Sequence, residues 1–400
     1  MLADVLEQAY DLRMLSLWSL ATLADPICTP RICAALSRLP SLTEANLHWI
    51  SPSSLQVIRS LPTGLRKLTL GKISPIISFE EALMSLAPLQ SLEAVKLLDM
   101  DCEPALSGKH GRLIQLGRVK SLSVTRTRFS DIIPIPLFMW TFPNVRHLEM
   151  WAAVCPIPFD RPHVTVVDGR TSLWSRLESI RGGYIFFKDC HVNYPVHQLH
   201  WDRDPIWDCN SRKLALRMIC SMYPVVLSMS VCGEATVDAG FNFWAEVAVG
   251  LRRLKTLDLT IKDIFCKMRW VGYITLLSTA LATCEVMCVR LWIVDPLSSA
   301  TSTSEDSSLP IPISETSDLL VFPELLMRNV PSLRLISLCA RDQSSGCEYS
   351  EHDKEVSWWR VTGSNSSRAL EEVPREIGER AMSYMQSEGC DFDAVPGLEA

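Results

Sequence analysis

A chain of 400 residues, 48% hydrophobic and 21% charged, has the make-up of a soluble globular protein able to bury one large core or several. Its net charge of −6 excludes the basic field on which bulk attraction to nucleic acid or acidic membrane depends, so neither is expected as a partner. The charge is uneven: residues 341–400 hold 13 of the 45 acids and 6 of the 39 Lys and Arg, a net of −7, which leaves +1 for the first 340.

Read from the N-terminus, Asp4, Glu7 and Asp11 precede the apolar run from Met14 to Ala24. A secretory leader opens on basic residues, so none is expected. A frame L-x-x-L-x-L begins at Leu12 and recurs from Leu42, Leu65, Leu92, Val119, Val145, Leu177, Val196, Val226, Leu254, Val286 and Leu333. From Leu12 to Leu333 the mean step over eleven intervals is about 29 residues, at the long end of the leucine-rich-repeat range. Positions 4 and 6 of each frame point to one face of a strand and position 5 to the other. The remainder of each period must carry the chain back to the next parallel strand, usually as a helix.

The intervening segments suit helices. Asp25 and Pro26 precede a helical run at Arg31–Leu39, and Ser78 with Glu81 three residues on forms a capping-box pattern. Leu214, Met218, Ile219 and Met222 mark one helical face within Asp204–Tyr223, and Pro62, Pro143, Pro224 and Pro331 stop helices ahead of their strands. The Leu177 and Val196 frames lie only 19 residues apart, and Gly182 stands where an aliphatic is expected. The expected fold is α/β: a curved leucine-rich-repeat solenoid with a concave parallel sheet and convex helices, over residues 1–340.

Two regions break the pattern. Ser298–Ser317 has 11 Ser or Thr in 20 residues and reads as a solvated loop inserted at 296–318, with acids beside its hydroxyls that suit an acid-directed kinase. Residues 341–400 read as an acidic cap: a strand at Glu355–Val361, a terminal helix at Ser367–Ser387 interrupted near Pro374, and a frayed tail. Fourteen cysteines are scattered from Cys28 to Cys390 without a C-x-x-C pair, as expected of reduced thiols in the cytoplasm or nucleus. The longest uncharged runs, Met218–Gly233 and Val271–Cys284, fall short of the ~20 residues that cross a bilayer.

Proline-preceded degenerate repeats, a Ser/Thr-rich insert near the end, and a W-x-V strand followed by an E-x-x-G-E-R helix resemble the F-box/leucine-rich-repeat-like families of mushroom-forming fungi. The resemblance covers nearly the whole chain and implies target recognition for a cullin-type ubiquitin ligase. The Asn or Cys usual after position 6 is replaced by Ile73, Met100, Ala153 and Lys262. No F-box is visible, since the first frame starts at Leu12, so the ligase adaptor is expected as a partner only if that module lies upstream.

Chemistry is sparse. Cys190, His191, His197, His200, Asp202, Asp204 and Cys209 form the densest set of ligand-type residues, but their spacing matches no closed zinc pattern. No nucleophile-elbow, zincin or dinucleotide motif occurs, so neither a catalytic residue nor a cofactor is expected. A metal-dependent hydrolase centred on Cys190–Cys209 and a decayed paralogue are the alternative readings. The expected site is the concave face, where an unidentified protein target would meet Lys96, His147, Glu149, Arg181, His200, Asp258 and Arg290 at positions 3 and 5. Position 7 adds Trp18, His48, Trp151, Asp202 and Trp292. Tryptophan and arginine are the residues most enriched at interface hot spots, and Trp151 is expected to lack a core to fill.

Overall fold

The computed structural model describes residues 2–20, 29–74, 76–99, 101–102, 114–129, 135–152, 174, 176–189, 192–206, 208–232, 243–262, 267–295, 321–342, 356–363, 367–391 and 394–395. The Ser/Thr-rich insert, Cys190, His191, and the side chains of Asp202 and Asp204 lie outside what is described. The chain divides into two compact units, Met1–His191 and Val192–Ala400.

The first unit opens with α1 (Leu2–Gln8), β1 (Met14–Leu17), α2 (Thr29–Ser37) and β2 (Glu44–Ile50). A short 3₁₀ turn, α3 (Leu55–Arg59), β3 (Lys67–Ile73), α4 (Phe79–Met84), β4 (Ala94–Leu98) and a two-residue β5 (Asp101–Cys102) follow. It ends with β6 (Ser121–Phe129), α5 (Ile135–Thr141), β7 (His147–Ala152), β8 (Ser179–Gly182) and α6 (Tyr184–Asp189). Its sheet runs β1-β2-β3-β4-β6-β7-β8, every neighbour parallel, with β5 paired to β6.

The second unit holds β9 (Gln198–Ile206), α7 (Cys209–Met222), β10 (Val226–Cys232), α8 (Phe243–Gly250), β11 (Thr256–Lys262) and α9 (Lys267–Leu281). It continues with β12 (Cys288–Asp295), α10 (Val321–Asn329), β13 (Leu335–Asp342), β14 (Val356–Thr362), β15 (Ala369–Val373) and α11 (Arg375–Gln386). Strands β9 to β13 are parallel in chain order, and β14 and β15 extend the sheet antiparallel.

Every L-x-x-L-x-L frame falls on a strand. Positions 4 and 6 are buried in all but the first, as in Leu68 and Leu70 or Leu257 and Leu259, because alternate residues share the face on which the helices pack. The register exposes one slip. Val226 pairs with Gln198 and with Thr256, both third in their frames, so this repeat begins at Pro224 and its core residues are Leu227 and Met229. A two-residue shift leaves the same set of side chains facing the core, so the hydrophobic pattern alone tolerates either phase. Gly182 is no void: a Cβ there would stand 2.5 Å from the Phe186 ring, and this phenylalanine of α6 takes the aliphatic's place.

The helix starts obey local chemistry. Ser78 accepts from the Glu81 amide at 3.2 Å while the Glu81 carboxylate accepts from the Ser78 amide at 3.2 Å. Helix α7 starts at Cys209, later than its apolar spacing suggested, because Asp208 accepts from the Ser211 amide at 2.7 Å and Asp204 remains in β9.

The C-terminal segment departs most from expectation. Ala369–Val373 is a strand, not the first part of a helix. It pairs with β14 after a turn in which Gly363 adopts φ +78°, and the residue before Pro374 is held extended by the ring. Arg368 ties this hairpin to the end of α10 and the turn after it by donating to the carbonyls of Met327, Val330 and Leu333. Helix α11 does not sit over the end of the repeat core. It lies on the sheet face opposite the other helices, where Ala381, Met382 and Met385 share one buried cluster with Met287, Cys288, Leu335 and Trp358.

Candidate functional site: the outer strand face

In the first unit the outward residues at the strand exits form an aromatic shelf. Trp18 follows β1 and remains 68% exposed, yet its ring stacks on His48 of β2 at 4.5 Å and 7°. His48 in turn lies flat on Gly71 of β3: a Cβ at that glycine would meet the imidazole Nδ1 at 2.2 Å. Three successive strands thus supply one stack at position 7. Burial holds the His48 pKa below its ordinary value, Lys72 adds to the shift and Asp99 opposes it.

Position 8 widens the shelf, and no pattern in the frames announces it. Trp49, Lys72 and Asp99 adopt φ of 58°, 51° and 49°, a left-handed conformation uncommon outside glycine. One such residue per strand shifts the alternation by one, as a bulge does. Ile50 and Ile73 return to the core, and Trp49 is left 52% exposed with the Lys72 ammonium 4.2 Å from its ring centroid. Strained backbone of this kind concentrates where side chains are presented for function.

Further along the same unit, Glu149 is the hub of a polar network. It accepts from Ser123 Oγ at 2.7 Å and from Trp151 Nε1 at 2.9 Å, and the Arg181 guanidinium approaches to 3.9 Å. Burial would raise the Glu149 pKa, but these bonds and the charges of Arg181 and Lys96 bring it below the ordinary 4.5. Trp151 does not stand free as expected: it is buried, 6% exposed, with the Arg181 guanidinium 5.8 Å from its ring centroid. Its indole nitrogen is committed to Glu149 and its ring to packing, so it supports the face instead of offering itself to a target. Lys96 and His147 are exposed, and His147 Nε2 lies 3.7 Å from Glu178.

The second unit repeats the acid–Trp–Arg combination. Arg290 of β12 forks onto both oxygens of Asp258 on β11, Trp292 Nε1 donates to Asp258 at 2.9 Å, and Arg290 lies 5.1 Å from the Trp292 ring centroid. Burial works against the Arg290 charge, but the Asp258 bond and charge outweigh it, with Cys288 and Glu379 adding, and its pKa rises. Beside it, burial pushes the Cys288 thiol up to about 12. His200 contacts the Gln198 side chain at 3.4 Å. Among the described residues no group of three or more His, Cys, Asp or Glu is placed to hold a metal ion. No described helix is long and apolar enough to cross a membrane.

No protein-family model matches the chain, and no curated protein matches it in sequence. Among solved structures it is similar to the leucine-rich repeat-containing protein LegL7 from Legionella pneumophila, at 13% identity and a TM-score of 0.37, over 88% of this chain and 90% of that one.

Proposed function

We propose that this chain is a non-enzymatic protein-binding scaffold, a curved leucine-rich-repeat solenoid whose outer strand face engages a protein target. The finer reading is a target-recognition subunit of the F-box/leucine-rich-repeat type for a cullin-based ubiquitin ligase, acting in the cytoplasm or nucleus, and it rests on the sequence resemblance. The observation that carries the scaffold reading is the shelf of the first unit. Trp18 is exposed although a tryptophan gains more than most residues from burial, and it is held in one orientation by the His48 stack. Trp49 beside it is exposed too, under the Lys72 ammonium, and tryptophan is among the residues most enriched at interface hot spots.

The test is quantitative affinity purification from cells of the source organism with the wild-type chain, Trp18→Ala and an exposed-surface control, Arg328→Ala. A defined set of proteins retained by wild type and control and lost from Trp18→Ala is the expected result. Cullin-ligase subunits in that set favour the finer reading. Equal recovery on all three baits removes the shelf as the binding site.

A further inference from the structure

We propose that the outer face of the second unit is a groove for an amphipathic helix, and that α11 occupies it reversibly in place of a partner helix of the same chemistry. This inference stands apart from the aromatic shelf, since it concerns the second unit and a different ligand.

The observations begin with the sheet. The third position of each frame points outward, and in the first unit it carries Met14, which stays exposed, and then Glu44, Lys67, Ala94, Ser121, His147 and Ser179. In the second unit it carries the part-buried Gln198 and then Val226, Thr256, Cys288 and Leu335, these four fully buried. Leu335 and Cys288, with Trp358 from β14, make an apolar strip beside the polar position-5 residues His200, Ser228, Asp258, Arg290 and Ser337. Helix α11 covers it with Gly378, Ala381, Met382 and Met385, spaced i, i+3, i+4 and i+7, one helical stripe. Gly378 is required by the fit: an added Cβ would stand 2.3 Å from the Trp358 ring. At the far end the Gln386 carbonyl accepts from Gln198 Nε2 at 2.8 Å and lies 2.9 Å from His197 Nε2. Glu379 places its charge near Arg290. The groove therefore selects a helix with a small residue at its first contact, methionines further along, and an acid beside the small residue.

Two features make the seat reversible. Thr256 Oγ, Ser337 Oγ and Trp358 Nε1 are buried on this face without a hydrogen-bond partner among the described residues, and such groups weaken an interface relative to the solvated state. The hairpin before the helix is separately fastened by Arg368, so α11 can leave while β14 and β15 stay.

Cys288 reports the state of the groove. It is fully buried beneath α11, whereas Cys284 is buried at the end of α9, away from the groove. Timed N-ethylmaleimide labelling of the full-length native protein, read site by site by mass spectrometry, is expected to modify Cys288 about tenfold or more faster than Cys284, because local opening outruns global unfolding. Gly378→Ala favours the helix itself but clashes with Trp358, and is expected to accelerate Cys288 by a further factor of about ten, within the range that core overpacking produces, without changing Cys284. A synthetic peptide spanning residues 374–391 should restore protection of Cys288 in this variant. The same peptide with Met382→Asp and Met385→Asp should not. A single rate for both cysteines in the wild type overturns reversible seating, and does so even if Gly378→Ala fails to fold. Opening of the face without protection by the peptide overturns the helix groove.

Discussion

Trp18 and Trp151 hold the same place in their repeats and have opposite fates, so they separate binding from stability. Trp151→Ala removes a buried ring and leaves Glu149 short of a donor. It is expected to lower the unfolding free energy by about 3–5 kcal/mol, read from urea midpoints at constant slope. Trp18→Ala should stay within about 0.5 kcal/mol in the same assay and act on partner recovery alone. Glu149 makes a prediction in pH. Its folded pKa lies below the ordinary 4.5, so the unfolded carboxylate takes up protons first. Its contribution is complete above 4.5 and disappears as pH falls through the folded value. Glu149→Gln should flatten the acid limb of stability against pH, and an unchanged limb would show that the network adds nothing to folding. The burial of Trp151 was not legible in the sequence, because it arises from Glu149 and from Arg181 on the next strand, and no single-strand pattern records a neighbour.

At the scale of elements the sequence was most informative where chemistry is local. The capping box at Ser78 was readable, and Ser78→Ala is expected to cost about 1 kcal/mol of stability; a loss below the error of denaturation would mean that α4 is held by packing alone. The strand frames were readable too, apart from the repeat at Pro224, where "PVVLSMSV" offers two phases two residues apart that bury the same face. Ala369–Val373 was misread because a helical count runs through "RALEEV". The hairpin partner Trp358–Thr362 decides it, and Pro374 separates strand from helix. The position-3 residues were the missed signal. Their change from Glu44, Lys67 and Ser121 to Val226, Cys288 and Leu335 announces that something covers the outer face of the later strands.

For the whole molecule, repetition implies a gradient of stability within each unit. Among the described residues strand β1 pairs with β2 alone, and Met14 and Leu17 contribute little to the core, whereas β3 and β4 are paired on both sides. In a stacked array each repeat is stabilised by its neighbours, so native-state hydrogen exchange should release β1 first and β3 and β4 last, and a uniform rate through the first unit would contradict this. The partition into units at His191 was not legible, because the repeat frames continue across that point without a linker composition. What the frames supplied was the order of strands and the inward residues. What they withheld was which outward residues remain open, since that depends on chain far away in sequence.

The attachment of α11 carries a last consequence. Only Pro374 separates it from β15, so the helix is presented to its groove at an effective concentration of about millimolar or more. A free helix with identical contacts gains nothing over it at cellular concentrations. A successful competitor must instead make bonds that α11 leaves unmade, and Thr256, Ser337 and Trp358 offer them. Selectivity would then reside in polar groups at the floor of an apolar groove, with the tethered helix setting the threshold that any partner has to exceed.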